Sequence, residues 1–104
     1  MSTIEKLAAT IAARAAASVD SSYTAKLLAG GIEKCAKKFG EESFELALAA
    51  TSKDRAHTAQ EAADVIYHLL VLLQASGVSL AEVEAVLATR ESQSGLEEKA
   101  GRRG

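Results

Sequence analysis

Hydrophobic residues recur along this chain at the three- and four-residue spacing of amphipathic helices. They predict helices over residues 3–17, 23–29, 32–51, 55–76 and 80–90. Ser-x-x-Glu capping boxes mark the starts of the first and last helices. Glycines follow the second helix, at Gly30 and Gly31, and the fourth, at Gly77, where they favour helix ends. No segment alternates like a strand, so the pattern predicts an all-α fold.

The fourth helix is apolar nearly all round over residues 65–73, which indicates burial on several sides. The third and fourth helices are expected to form an antiparallel hairpin within a bundle of about five helices. The first and fifth helices cover part of the apolar stretch, the fifth by turning Leu80, Val83, Val86 and Leu87 inward. A second copy of the chain is expected to cover the rest, which predicts an isologous homodimer.

Gly40 stands inside the third helix. A glycine in a helix interior costs about 1 kcal/mol relative to alanine. The position therefore predicts an interruption of the helix or a group packed close to the backbone, such as a substrate phosphate.

The composition fits one domain over residues 1–90, followed by a polar and loosely held tail over residues 91–104. The net charge of −2 gives no argument for nucleic acid or membrane as a partner. The one cysteine excludes an internal disulfide. We see neither a signal peptide nor an apolar run long enough to span a membrane, and we expect a cytoplasmic protein.

Acidic residues repeat at a spacing of three on the third and fourth helices. The pairs are Glu42 with Glu45 on the third helix and Glu61 with Asp64 on the fourth. At about 100° per residue, each pair occupies about 60° of one helix face. A hairpin that turns near Lys53 places the two pairs at the same height, on axes about 8–10 Å apart. Four carboxylates beside apolar faces need a counter-charge. The pattern therefore predicts a site for a hard divalent cation, Mg²⁺ or Mn²⁺.

The acidic motif resembles that of the MazG-like all-α nucleoside triphosphate pyrophosphohydrolase superfamily. The resemblance rests on Glu-Glu-x-x-Glu at residues 41–45 and on Glu-x-x-Asp after 15 intervening residues. The flanking blocks are similar to the phosphoribosyl-ATP pyrophosphohydrolase family of histidine biosynthesis. These blocks are Lys-Lys-Phe-Gly-Glu-Glu at residues 37–42 and Asp-Val-Ile-Tyr-His-Leu-Leu at residues 64–70. The similarity extends over about residues 19–90.

The resemblance implies Mg²⁺-dependent hydrolysis of the α–β phosphoanhydride of phosphoribosyl-ATP to phosphoribosyl-AMP and pyrophosphate. It also implies a cytoplasmic homodimer whose helices form a shared bundle. The family's metal ligands fall on Glu42, Glu45, Glu61 and Asp64. Some members are fused to a zinc cyclohydrolase that needs several cysteines, so we expect the stand-alone form.

Several side chains are candidates for catalysis and substrate binding. Either Glu41 or Glu45 could orient the attacking water or accept its proton. Candidates for phosphate binding are Lys26, Lys34, Lys37 and Lys38, with Lys38 first because it shares a helix face with Glu42 and Glu45. Tyr23 could stack on a base. His68 could contact the substrate, or it could be a core histidine that bonds a neighbouring carboxylate.

Two other functions stay open from the residues. A MazG-type house-cleaning hydrolase of (deoxy)nucleoside triphosphates would share the metal site, although the low aromatic content of 4% argues mildly against it. A non-enzymatic helical dimerisation module would carry the acids without a metal. A di-iron bundle requires Glu-x-x-His on two helices, which this sequence lacks.

Overall fold

The computed structural model describes residues 1–91, which form five α-helices and no strand. The helices are α1 (Thr3–Arg14), α2 (Tyr23–Ala29), α3 (Gly31–Thr51), α4 (Arg55–Ser76) and α5 (Leu80–Glu91). The two long helices, α3 and α4, pack along one another as a hairpin. The prediction of an all-α fold built on this hairpin is confirmed. The predicted tail lies outside the described residues, apart from Glu91, which ends α5.

Local capping accounts for the ends of α2 and α4, which match the predicted bounds. The side chains of Ser22 and Asp54 accept hydrogen bonds from the first-turn backbone N–H groups of Ala25 and His57. Gly77 ends α4 in the left-handed region at φ 73°, which glycine adopts without a Cβ clash. The α3–α4 turn contains Lys53 at φ 64°. The hairpin therefore turns at Lys53, as the predicted equal height of the two acidic pairs requires.

Helix α1 ends earlier than predicted, at Arg14 rather than near Ala17. The C-cap is Ala15, and Ala15 and Ala16 are both exposed. Alanine favours a helix only weakly by itself, and most helical stability in proteins comes from packing. Because nothing in the described chain packs on these residues, the helix stops.

The predicted interruption of the helix at Gly40 was wrong, and no side chain of residues 1–91 packs close to this glycine, whereas the approach of a substrate phosphate stays a prediction. Helix α3 runs through this residue without interruption, and a Cβ atom built on Gly40 would have no neighbour within 4 Å. The glycine therefore exposes helix backbone without a packing reason in this chain.

Replacing Gly40 with alanine is expected to raise the unfolding midpoint by about 4–8 °C, because alanine is about 1 kcal/mol better in a helix interior. Thermal unfolding followed by circular dichroism measures this. An unchanged or lower midpoint would contradict the account of Gly40 as open helix. Higher stability together with lost hydrolysis would indicate that a substrate phosphate approaches this backbone.

The core lies where α1, α2 and the first half of α3 meet the second half of α4. Its fully buried members are Ile11, Leu27, Cys35, Leu70 and Val71. The Cys35 thiol donates to the Leu27 carbonyl at 3.4 Å, and burial raises the pKa of this thiol. The core thus fixes one end of the hairpin, while the acidic residues occupy the stretch between the core and the turn.

Apolar side chains outside this core are exposed on α3 and α5. Phe44 is 66% and Leu48 54% exposed, and Val86 and Leu87 of α5 are about half exposed. Val86 and Leu87 were predicted to point inward, and within residues 1–91 the fifth helix is not buried as expected. A periodic pattern identifies the residues that share a face, but it does not identify what covers that face.

Within residues 1–91, no single helix is both long and apolar enough to cross a membrane. Helices α4 and α5 reach that length and composition only when taken together, and they are bent by 110° at the break between them.

Candidate metal centre and active site

Three acidic side chains converge between α3 and α4. One carboxylate oxygen from each of Glu42, Glu45 and Glu61 lies within 4.8 Å of the other two. Glu42 and Glu61 are half-buried, whereas Glu45 is exposed. The hairpin therefore brings together carboxylates from both helices at one height, in an arrangement that offers oxygen ligands to a hard cation.

Asp64 stands outside this converging group. It lies one turn after Glu61 on α4 and is exposed. Its negative charge nevertheless acts on the site, because it helps to raise the pKa of Glu42. Burial and the charge of Lys38 lower the pKa of His68, and the charge of Asp64 opposes that shift. The structure thus places Asp64 at the border of the three converging carboxylates.

The pKa of the Glu42 carboxyl is raised above its ordinary value. The largest cause is a hydrogen bond with the Glu45 side chain, which favours a shared proton, and burial is the next. The charges of Glu45 and Asp64 raise it further, while Lys38 lowers it. Negative charge on Glu42 is therefore unfavourable in the metal-free protein, and a cation between these carboxylates would relieve that cost.

Changing Glu42 to glutamine is expected to raise the thermal unfolding midpoint in EDTA at neutral pH by several degrees. A carboxyl whose pKa is raised by folding stabilises the fold below its unfolded pKa of about 4.3, and this contribution is lost as pH rises through the raised pKa. The gain from Glu42→Gln should therefore be present at neutral pH and vanish in acid. A gain of the same size at both pH values would contradict this account.

His57 faces Glu61 from one turn earlier on α4. The His57 Nε2 atom lies 3.9 Å from Oε1 of Glu61. The other carboxylate oxygen of Glu61, Oε2, is buried and has no hydrogen-bond partner within residues 1–91. A buried acceptor without a partner is costly, and a cation beside this oxygen would offset that cost. His57 is half exposed, and its spacing of four residues from Glu61 is the signal in the sequence that indicates this contact.

Two of the three converging acids, Glu45 and Glu61, line a groove of about 370 Å³ at the turn end of the hairpin. It is lined by Glu45, Leu48, Ala49, Ser52, His57 and Glu61. A larger groove of about 480 Å³ is lined by Ala50, Lys53, Arg55, Thr58, Ala59 and Ala62. Because the larger groove has no carboxylate among its lining residues, the smaller groove is the candidate active site.

The lysines predicted to bind phosphate differ in their distance from the acids. Lys38 is half-buried, and its charge acts on both Glu42 and His68. Its Nζ atom also lies 3.6 Å from Oε1 of Glu41, in a partly exposed ion pair. Lys26, Lys34 and Lys37 are exposed. Among the four, Lys38 is the one that acts electrostatically on the converging acids.

An aromatic cluster adjoins the acids on the side of the core. Tyr23 is 55% exposed and stacks on Tyr67, with ring centroids 6.4 Å apart. The Tyr67 hydroxyl shares a hydrogen bond of 2.5 Å with the Thr24 hydroxyl, which ties α2 to α4. His68 lies edge-on to Tyr67 at 5.0 Å and is 5% exposed. The cluster therefore connects the exposed Tyr23 ring with a buried histidine.

Comparison with known proteins places these features in a family. A model of the family described as phosphoribosyl-ATP pyrophosphohydrolase matches residues 4–91. The chain belongs to the phosphoribosyl-ATP pyrophosphohydrolase family. The match spans all five helices of the described chain, and the resemblance noted from the acidic motif and its flanking blocks is confirmed.

Curated relatives of this family are similar over nearly the whole chain. A protein of Cereibacter sphaeroides named phosphoribosyl-ATP pyrophosphatase is 62% identical over 98% of this chain and 99% of its own length. One of Dinoroseobacter shibae with the same name is 60% identical over 98% of this chain and 100% of its own. Phosphoribosyl-ATP pyrophosphatase 1 of Rhodopseudomonas palustris is 59% identical over 97% of this chain and 94% of its own length.

Proposed function

We propose that this chain hydrolyses the α–β phosphoanhydride of phosphoribosyl-ATP to phosphoribosyl-AMP and pyrophosphate, the second step of histidine biosynthesis. The proposal is carried by the meeting of Glu42, Glu45 and Glu61 within 4.8 Å in a chain of the phosphoribosyl-ATP pyrophosphohydrolase family. The names of the full-length relatives support the substrate.

Mg²⁺ fits this donor set, with Mn²⁺ as the alternative, because both prefer carboxylate oxygens. The raised pKa of Glu42 and the buried, unpartnered oxygen of Glu61 are both relieved by a cation at this place. Glu42, Glu45 and Glu61 would hold it, and Asp64 would add the fourth carboxylate. When bound, the cation neutralises phosphate charge and makes water more acidic.

Glu45 is our first choice for the group that orients the attacking water. It is exposed, belongs to the converging acids and lines the groove. Glu41 is the second choice, because its carboxylate is paired with Lys38. As the water oxygen bonds to phosphorus, its proton passes to the carboxylate, and the α–β anhydride bond breaks to give phosphoribosyl-AMP and pyrophosphate.

Substrate binding is assigned to cations and an aromatic ring around the acids. Lys38 is our first choice for contact with the phosphates. Further candidates for phosphate binding are Lys34, Lys37 and Lys26. The half-exposed Tyr23 ring, backed by Tyr67, would stack on a base. The predicted contact of His68 with substrate stays a prediction, and its burial favours a role through its neighbours.

A homodimer acting in the cytoplasm is part of the proposal. Phe44 and Leu48 lie about 40° apart on α3, and both are more than half exposed. Leu48 also lines the acidic groove. A second copy that covers this apolar face would thus adjoin the candidate active site.

Complementation tests the proposed function in a cell. A bacterial strain that lacks the second step of histidine synthesis should grow without histidine when it expresses this chain. Expression of the Glu61→Gln variant should leave it dependent on histidine. Failure of the wild-type chain to support growth, despite folded protein in the cells, would argue for the house-cleaning hydrolase or the dimerisation module.

A further inference from the structure

His68 is a buried histidine that does not use its full hydrogen-bonding capacity. The residue is 5% exposed, and its Nδ1 atom is buried without a partner in residues 1–91. An apolar side chain of similar size would avoid the cost of burying an unpaired polar atom. The use of histidine at this position therefore points to what its other nitrogen faces.

The other nitrogen of His68 faces a proposed metal ligand. Its Nε2 atom lies 3.8 Å from Oε1 of Glu42, across the interface between α4 and α3. The two side chains are 7% and 17% exposed, so water competes little for this contact. The separation is longer than a direct hydrogen bond, so the proposed contact requires the two side chains to come closer when the cation binds.

The aromatic cluster fixes the His68 ring in this orientation. Tyr67 packs edge-on at 5.0 Å and Tyr23 edge-on at 6.4 Å. A rigidly held donor is what the orientation of a metal-binding carboxylate requires, because a mobile one would lose its effect to side-chain entropy.

We propose that His68 is a positioning residue that orients the Glu42 carboxylate for the cation, a role that rests on the function proposed above. The tautomer with its hydrogen on Nε2 donates to Oε1 of Glu42. Because this contact uses Oε1, the second oxygen of Glu42 stays available for the cation. His68 contacts neither the substrate nor the reacting water in this role.

Two substitutions of His68 test the proposal through the affinity for Mg²⁺, measured by isothermal titration of the purified chain. His68→Leu keeps the volume and removes the donor, and Mg²⁺ affinity should fall by about 10- to 100-fold. His68→Gln carries an amide nitrogen that reaches the place of Nε2, and most of the affinity should return. The unfolding midpoint of His68→Leu in EDTA should be at least that of wild type, because the unpaired nitrogen is gone.

Tyr67→Phe is the matched control within the same cluster. It keeps the ring against His68 but removes the hydrogen bond to Thr24. We expect a lower unfolding midpoint with unchanged Mg²⁺ affinity, whereas a general effect of local packing would weaken Mg²⁺ binding in this variant too.

The outcomes separate this proposal from the function on which it rests. Wild-type Mg²⁺ affinity in a folded His68→Leu variant overturns the positioning role and leaves the metal site standing. Absence of Mg²⁺ binding by the wild-type chain overturns the metal site and the positioning role together. If His68→Leu does not fold, His68→Asn replaces it. The shorter amide of Asn does not reach Glu42, so equal affinities of the Asn and Gln variants overturn the proposal.

Discussion

Changing Glu61 to glutamine is expected to lower kcat/KM for phosphoribosyl-ATP by more than about 100-fold, since loss of a group that only supports a metal ligand already costs about 10- to 100-fold. Glu61 has one oxygen beside His57 and another that is buried without a partner. Glutamine keeps the size of the side chain but removes the charge that would hold the cation. Pyrophosphate release with saturating Mg²⁺ measures the loss, and titration with Mg²⁺ shows whether binding is lost with it.

Glu33→Gln is the control for this experiment. Glu33 lies on the same helix as Glu42, about two and a half turns earlier, in the exposed first turn of α3. It loses the same charge away from the acidic cluster, and its turnover should match wild type. A folded Glu61→Gln variant with wild-type turnover would remove Glu61 from the proposed ligands.

Replacing Phe44 and Leu48 together with glutamate is expected to convert a homodimer into a monomer. Both side chains are more than half exposed in the single chain, and burying two charges at a dimer interface should raise the dissociation constant by at least about 100-fold. Because Leu48 also lines the acidic groove, hydrolysis should fall with dimerisation. Size-exclusion chromatography with light scattering measures the mass across a dilution series.

Ile32→Glu is the matched control on α3. Ile32 is 53% exposed, but it lies about 120° around the helix from Phe44. This variant should keep the mass of the wild-type protein. A monomeric wild-type chain, or a double variant that remains dimeric, would contradict the assignment of this face.

The helix ends that a local signal marks could be predicted from the sequence. Ser22, Asp54 and Gly77 act on the backbone within a few residues of themselves, and the bounds of α2 and α4 match the prediction. The end of α1 could not be predicted in this way, because alanine allows a helix to continue without requiring it. The interruption predicted at Gly40 was wrong for the opposite reason. Packing of α3 on α4 stabilises the helix despite the low helix propensity of glycine.

The candidate site was partly predictable because it depends on the helical period and on the position of one turn. The helical period placed Glu42 with Glu45 and Glu61 with Asp64, and the turn at Lys53 set their heights. The structure brings three of the four together, and their role as metal ligands stays a prediction. Periodicity could not indicate how side chains rotate within the site. The exposure of Asp64 is therefore a feature of the structure alone. A buried His68 beside a carboxylate was one of the two roles that the sequence left open, and the structure identifies that carboxylate as Glu42.

The most direct measurement of the central claim is the product analysis of purified chain incubated with phosphoribosyl-ATP. With Mg²⁺, we predict equal amounts of phosphoribosyl-AMP and pyrophosphate, no product in EDTA, and far slower turnover of dUTP and dCTP. Faster turnover of dUTP or dCTP would contradict the proposed substrate, and undiminished hydrolysis in EDTA would contradict the metal centre between α3 and α4.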